Sequence, residues 1–169
     1  MDRLWAPWRM KYIKVPATRI GGGRKKRKVC LFCQALKTKR KNYVIFKGRH
    51  SFSMLNIFPY NNGHVLVSPI RHIQEFSQLN DNEILDLFKI LDNTKKILDK
   101  VLKPHGYNIG INTSLSAGAG QAHHLHIHIV PRWRGDTNFM PTLYNTKVIS
   151  QSLDELYKYL KKYAQSKTD

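Results

Sequence analysis

The stretch His123-His124-Leu125-His126-Ile127-His128-Ile129-Val130-Pro131-Arg132-Trp133 carries four of the chain's eight histidines. Polar and apolar residues alternate through it, a pattern typical of a strand with one buried face. Because strand side chains point alternately to opposite faces, His124, His126 and His128 are expected on one face, with the apolar residues between them in the core. Pro131 has no N–H to donate, so we expect the strand pairing to end there.

A row of imidazoles suits two kinds of chemistry. Three imidazoles can bind a metal, as in catalytic zinc sites. Alternatively, one neutral imidazole can attack phosphorus while its neighbours and backbone amides hold the phosphate oxygens. The preceding loop, residues 114–121, is rich in small residues that let backbone amides approach a ligand closely. The spacing of the histidines does not choose between these two kinds of site.

The residues around this stretch predict an α+β fold. Short runs rich in β-branched and aromatic residues predict antiparallel strands at 43–47, 52–57, 64–68 and 107–112. Asn80 is the expected N-cap of a long amphipathic helix, which Pro104 ends. An ordered loop is expected at 133–141, and a last helix from Ile149 to Tyr163. The long helix should pack on the antiparallel sheet.

Length and composition limit the class of protein. The 169 residues are enough for one domain with a substantial core. We expect an N-terminal arm with a basic loop over 1–29, a domain over 30–141, and a C-terminal helix and tail over 142–169. No apolar run approaches the roughly 20 residues that cross a bilayer. The N-terminus also lacks the pattern of a secretory signal. A membrane partner is therefore not expected.

The chain is strongly basic. Lys and Arg total 29 against 11 Asp and Glu, which gives a formal net charge of +18. Such a field attracts polyanions, including nucleotides, polyphosphates and nucleic acid, without specifying a fold. Three glycines at 21–23 followed by five basic residues at 24–28 predict a flexible loop. This loop is either a nucleic-acid or nuclear-localisation patch or an ordinary solvated surface loop.

The two cysteines, Cys30 and Cys33, form a C-x-x-C pair. This spacing is compatible with metal binding, thiol redox chemistry or simple packing. It suits a structural disulfide less well, so we expect a reducing cytoplasm as the location.

The segment His124–Val130 resembles the signature of the histidine triad (HIT) superfamily, in which three histidines alternate with apolar residues. Gly120-Gln121 and the segment Gly63–Pro69 are also similar to parts of that family. The resemblance covers roughly residues 30–140. It implies a HIT-like α+β fold and a homodimer.

Segments near the two ends, 4–9 and 131–141, are similar to the prokaryotic branch related to diadenosine tetraphosphate phosphorylases. This resemblance implies a nucleotidyl hydrolase or transferase that acts on adenine dinucleotide polyphosphates. His126 would attack the α-phosphate and carry a transient AMP, which water or phosphate then removes. His128 would hold phosphate oxygens and assist the leaving group, and His64 would line the same pocket.

The resemblance also implies substrate and metal ligands. Asn56 matches the position of a ribose-binding side chain in the family. The residues expected to contact phosphate are Asn112, Ser114 and Gln121. Zinc-containing members imply a zinc site made by Cys30, Cys33, His72 and His124. A Cys2His2 set fills a tetrahedral shell, so this zinc would be structural. No organic cofactor is implied.

Two other functions fit the same residues. A superfamily enzyme could remove AMP from protein lysine or from adenylated DNA ends, and the basic loop at 24–28 would serve DNA. A protein of a different class would bind nucleotides or nucleic acid without turnover and would use zinc only for stability.

Overall fold

The computed structural model describes residues 30–38, 42–137, 139–144 and 146–165. Within them, a five-stranded antiparallel sheet carries helices on its faces, which confirms the predicted α+β class. The strands are β1 (Val44–Lys47), β2 (Ser51–Leu55), β3 (Val65–Pro69), β4 (Gly106–Gly110) and β5 (Ile127–Arg132). The helices are α1 (Leu31–Lys37), α2 (Asp81–Leu102), α3 (Phe139–Tyr144) and α4 (Leu153–Gln165). The predicted basic loop lies outside the described residues.

Strand β5 lies inside the sheet, although it is the last strand of the described residues. The strand order is β1-β2-β3-β5-β4, and every neighbouring pair is antiparallel. His128 therefore pairs with Leu66 of β3 on one side and with Gly110 of β4 on the other. A residue held by two neighbouring strands has a rigid backbone.

The sheet separates two apolar clusters. On one face, Ile127 and Ile129 of β5 pack in the larger cluster with Leu87 and Leu98 of α2. On the other face, a smaller cluster lies under α1 and is formed mainly by Phe32, Phe52, Met54 and Leu66. Burying an apolar side chain of this size contributes roughly 1.5–3 kcal/mol. Because β5 alternates, its histidine faces the α1 side of the sheet.

Both ends of α2 confirm the sequence prediction. Asn80 accepts a hydrogen bond from Glu83 N, and the Glu83 side chain accepts from Asn80 N, which together form a capping box. At the other end Lys103 adopts a left-handed conformation, with φ of 47°, just before Pro104. A proline cannot continue the helical hydrogen bonding, so the chain turns into β4.

Helix α4 begins later than predicted. Ser152 caps it by accepting a hydrogen bond from Glu155 N, so the helix starts at Leu153 rather than Ile149. It packs against α2 and β1, and the Tyr157 hydroxyl donates to the Val44 carbonyl at 3.2 Å. It therefore lies along the β1 edge of the sheet.

The prediction that Pro131 ends the strand pairing is wrong. β5 continues to Arg132, and Pro131 pairs with Tyr107 of β4. The carbonyl of Arg132 accepts from His105 N on the β4 side, whereas the Pro131 carbonyl accepts from the Asn61 side chain on the opposite side. The missing N–H of Pro131 therefore faces the side on which β3 no longer runs, and no sheet hydrogen bond is lost.

Two other expectations need correction. The loop predicted at 133–141 contains the start of α3, a six-residue helix. The histidine strand is also shorter than expected, because His124 and His126 precede Ile127, where β5 begins. There the Leu125 N–H donates to the Ile73 carbonyl, and the Leu125 carbonyl accepts from the Ser68 hydroxyl.

Candidate active site and metal site

His64 and His128 form a buried imidazole pair at the centre of the site. His64 Nε2 lies 2.9 Å from His128 Nδ1. His64 Nδ1 lies 3.0 Å from the Tyr60 backbone nitrogen, and the Tyr60 ring stacks on the His128 ring with 11° between their planes. His64 follows Gly63, whose φ of 72° favours glycine. An added Cβ there would lie 2.3 Å from a Leu102 methyl carbon.

His126 is buried beside this pair. Its ring centroid is 4.9 Å from that of His128, and its Nδ1 lies 2.8 Å from the His124 carbonyl oxygen. A carbonyl only accepts, so Nδ1 carries the proton of the neutral ring. The other nitrogen, Nε2, is left with a lone pair. The His126 ring thus directs a protonated Nδ1 at the His124 carbonyl and keeps an unprotonated Nε2.

Burial keeps these imidazoles neutral near pH 7. It lowers the pKa of His64 to about 3, with further lowering by the charges of His128 and His126. It lowers the pKa of His128 to about 4, helped by His126. The pKa of His126 is also lowered by burial, and the hydrogen bond to the His124 carbonyl partly opposes this shift.

The residues expected to contact phosphate lie on the loop between β4 and β5. Asn112 and Gln121 are half-buried, whereas Ser114 is exposed and has a φ of 70°. The Gln121 carbonyl accepts a hydrogen bond from His124 N at 3.2 Å, so the loop is tied to the histidine segment. The expected ribose contact, Asn56, is buried with its amide nitrogen 3.3 Å from His64 Nδ1.

The four predicted zinc ligands come together in the structure. The ligand atoms of Cys30, Cys33, His72 and His124 all lie within 4.8 Å of one another. His124 Nδ1 is 3.2 Å from Cys30 Sγ and 3.7 Å from Cys33 Sγ, and His72 Nδ1 is 3.2 Å from Cys33 Sγ. A tetrahedral zinc with ordinary bond lengths would separate nitrogen and sulfur ligands by about 3.5 Å.

The orientation of His124 also fits a metal ligand. Its Nε2 lies 3.0 Å from the Pro69 carbonyl oxygen, so Nε2 carries the proton and donates it. The lone pair on Nδ1 is then directed toward the two thiols. A second hydrogen bond that orients a ligating imidazole in this way is common at metal sites. The donor set and its geometry therefore fit zinc.

Phe32, which was not predicted from the sequence, joins the two sites. Its ring is fully buried, and its centroid lies 5.0 Å from the ring centroids of both His124 and His126. The sequence feature that could have identified Phe32 is its position between the two cysteines of the C-x-x-C pair. Tyr60 was also not predicted as a site residue. The sequence feature that could have identified it is an aromatic side chain in the predicted turn just before Asn61.

The fold and the histidine site together define a family. The model of the HIT domain family matches residues 37–135, more than half of the chain. The chain belongs to the histidine triad family. Cys30 and Cys33 lie just before the matched region.

Two curated relatives carry enzyme names. The protein called AP-4-A phosphorylase in Mycobacterium tuberculosis is 34% identical over 161 residues, which covers 95% of this chain and 83% of that protein. The protein called bis(5'-nucleosyl)-tetraphosphatase [asymmetrical] in Schizosaccharomyces pombe is 33% identical over 93 residues, covering 55% of this chain and 50% of that protein.

A solved structure supports the fold. The Zn-bound histidine triad family protein from Mycobacterium smegmatis superposes with a TM-score of 0.67 at 21% identity. The match covers 83% of this chain and 96% of that one. Among the helices of the described residues, none is long and apolar enough to span a membrane.

Proposed function

We propose that this protein is a HIT-family nucleotide hydrolase or phosphorylase that acts on adenine dinucleotide polyphosphates such as diadenosine tetraphosphate. One observation carries the proposal: His126 Nδ1 lies 2.8 Å from the His124 carbonyl oxygen, so the proton of the neutral ring is on Nδ1 and the Nε2 lone pair is available for attack. The names of the Mycobacterium tuberculosis and Schizosaccharomyces pombe relatives supply the substrate class.

In the first step, Nε2 of His126 forms a bond to the α-phosphorus while the bridging P–O bond breaks. The nucleoside polyphosphate leaves as an anion, and the N–H on Nε2 of His128 donates a hydrogen bond to its leaving oxygen. The buried Nε2 atom of His128 has no hydrogen-bond partner within the described residues, which supports a role as a donor to substrate. The enzyme then carries AMP on His126 through a P–N bond.

In the second step, water or inorganic phosphate attacks the same phosphorus and the P–N bond breaks. The electron pair of that bond returns to Nε2 of His126, the acceptor loses its proton to solvent, and the product is AMP with water or ADP with phosphate. Division into two displacements makes each one easier than direct attack on the dinucleotide. His64, which is fully buried, supports the site through its hydrogen bond to His128.

The proposed substrate contacts surround these histidines. Asn56 uses one amide N–H toward His64 and one Oδ1 lone pair toward Phe58 N. Its second N–H and second lone pair would contact the ribose. Asn112, Ser114 and Gln121 would hold phosphate oxygens with the backbone amides of their loop. The net charge of +18 favours encounter with a polyphosphate.

The metal site has a structural role in this proposal. Cys30, Cys33, His72 and His124 would hold a zinc ion with no open position, so the ion would tie α1 to the segment that leads into β5. The Mycobacterium smegmatis neighbour is a Zn-bound protein, which is compatible with this role. No organic cofactor is needed.

The partner proposal is a homodimer. β4 has a neighbouring strand on one side only among the described residues, and Ile109 is 46% exposed there. An edge strand of this kind can pair with a second copy. Nucleic-acid binding through residues 24–28 and a cytoplasmic location stay predictions from the sequence.

Product analysis with diadenosine tetraphosphate, with and without inorganic phosphate, tests this function. Attack at the α-phosphorus predicts ATP with AMP in water alone. If phosphate is the acceptor, ATP is released with ADP. Two ADP molecules would require cleavage between the β-phosphates and would contradict the mechanism. Nucleotide binding without any product would instead support the binding protein.

A further inference from the structure

The turn that follows β2 directs two hydrogen-bond donors at one nitrogen of His64. The Tyr60 backbone N–H donates to His64 Nδ1 at 3.0 Å, and the Asn56 amide nitrogen lies 3.3 Å from the same atom. A backbone N–H can only donate. Nδ1 of His64 must therefore be the unprotonated, accepting nitrogen of the neutral ring.

A second backbone group determines which way the Asn56 amide points. The Phe58 N–H donates to Asn56 Oδ1 at 3.0 Å. The oxygen of the amide is thereby identified, so the group facing His64 is the NH2 group. Both donors belong to the segment between β2 and β3: one is a main-chain N–H, and the other is an amide whose oxygen accepts from the Phe58 N–H.

The tautomer of His64 determines the tautomer of His128. With Nδ1 accepting, the proton of His64 sits on Nε2, which donates to His128 Nδ1 at 2.9 Å. His128 Nδ1 is then an acceptor, so its own proton must lie on Nε2. That nitrogen is the buried atom without a partner in the described part of the chain. The tautomer chosen at His64 thus determines whether His128 can offer an N–H.

We propose that Asn56 is a positioning residue, which with the Tyr60 N–H sets the tautomers of His64 and His128 so that His128 presents a donor. Its catalytic consequence rests on the proposed function, whereas the tautomers themselves do not. The role is additional to ribose contact, because the amide uses only one of its two N–H groups and one lone pair for these bonds.

Replacement of Asn56 by Asp and by Ala separates the two roles. If Asn56 only contacts the ribose, the Asp variant keeps that contact, because its carboxylate accepts from ribose hydroxyls, and the Ala variant loses it and has a raised KM. If Asn56 is a positioning residue, the Asp variant is instead the more impaired of the two. Asn56→Asp places an acceptor against the lone pair of His64 Nδ1 and draws a proton there, whereas Asn56→Ala leaves the Tyr60 N–H to maintain the tautomer.

The direct readout is two-bond 1H–15N correlation of the imidazole nitrogens in the full-length protein at neutral pH. It distinguishes protonated from unprotonated ring nitrogens and needs no turnover. Asn62→Asp is the matched control, because it adds the same charge to the same turn and Asn62 makes no bond to a histidine within the described residues. Thermal melts of all variants verify folding.

We expect an unprotonated His64 Nδ1 in the native protein, in Asn56→Ala and in Asn62→Asp, and a protonated one in Asn56→Asp. We also expect kcat to fall by about 100-fold or more in Asn56→Asp and by less than about tenfold in Asn56→Ala. A native His64 protonated at Nδ1, or an Asp variant in which Nδ1 stays unprotonated, would overturn the proposal. The proposal would also be overturned if Asn56→Asp stayed active and Asn56→Ala changed only in KM. If the native protein turns nothing over, the proposed function fails, and the NMR result still decides the tautomer.

Discussion

In each of the three alternating histidines, the contacts of the ring nitrogens with other groups of the protein determine which nitrogen carries the proton. His124 donates from Nε2 to the Pro69 carbonyl, and its Nδ1 faces the cysteines. His126 donates from Nδ1 and keeps a lone pair on Nε2. His128 accepts at Nδ1 and keeps a proton on Nε2. Three identical side chains are therefore suited to three tasks: a metal ligand, a nucleophile and a hydrogen-bond donor.

The depressed pKa of His64 predicts a specific loss of stability in acid. Its pKa is about 3 in the folded protein against 6.5 for an exposed histidine, so the unfolded chain binds more protons between these values. Above pH 6.5 the His64 ring is neutral in both states, so its protonation does not reduce the free energy of unfolding. That free energy declines as the pH falls toward 3, by at most about 1.4 kcal/mol per pH unit.

Urea unfolding at a series of pH values measures this effect. His64→Asn should show a shallower fall in the free energy of unfolding below pH 6.5 than the native protein. The control is His123→Asn, which removes an exposed histidine and should keep the native slope. Equal slopes for the His64 variant and the native protein would show that His64 does not resist protonation.

At the scale of elements, α1 contacts both the candidate metal site and His126. It begins directly after Cys30, contains Cys33 on its first turn, and holds the Phe32 ring against both His124 and His126. A seven-residue helix has little stability of its own. Its position therefore depends on the packing of Phe32 and, in our proposal, on the zinc ligands.

Loss of one ligand should loosen α1. We predict that Cys33→Ser retains little zinc, melts at a lower temperature, and loses activity because Phe32 no longer packs firmly on His126. Metal analysis, a thermal melt and the rate with diadenosine tetraphosphate measure the three effects. Lys37→Ser, on the same helix, is the control. A Cys33 variant with a full complement of zinc, or with native stability after losing it, would contradict the structural role.

The elements that sequence could predict are those with a local signal. The alternation around His126 and the capping box at Asn80 are readable from residue spacing. α1 was missed because its helix is short and is stabilised by contacts distant in sequence. The path of β5 through Pro131 depends on where β3 ends. The bonds at His64 Nδ1 depend on the conformation of the turn, which no residue pattern specifies.

At the scale of the whole molecule, the two edges of the sheet differ. Helix α4 lies along the β1 edge, and the Lys161 side chain donates to the Ile45 carbonyl at 3.2 Å. At the opposite edge, β4 pairs only with β5 among the described residues and exposes Ile109. Exposed edge strands are the usual place for pairing with another chain. The β4 edge is therefore where the proposed homodimer would form.

Light scattering of the purified protein tests the dimer. The native protein should have twice the mass of one chain, and Ile109→Lys should shift it toward one, because a charge would be buried without a partner. Tyr159→Lys, at an exposed position of α4, should stay dimeric. A monomeric native protein, or an unchanged mass for the Ile109 variant, would contradict pairing through β4.

The central claim is that His126 carries AMP during turnover, and a trapped intermediate tests it most directly. The protein is mixed with diadenosine tetraphosphate and denatured within the first turnover. The denaturant contains no acid, because acid would cleave a P–N bond. The peptides are then analysed by mass spectrometry. We predict AMP on the peptide containing His126, and neither adduct nor turnover in His126→Ala, which should still bind nucleotide. Undiminished turnover by His126→Ala, or AMP attached to a different residue, would contradict the claim.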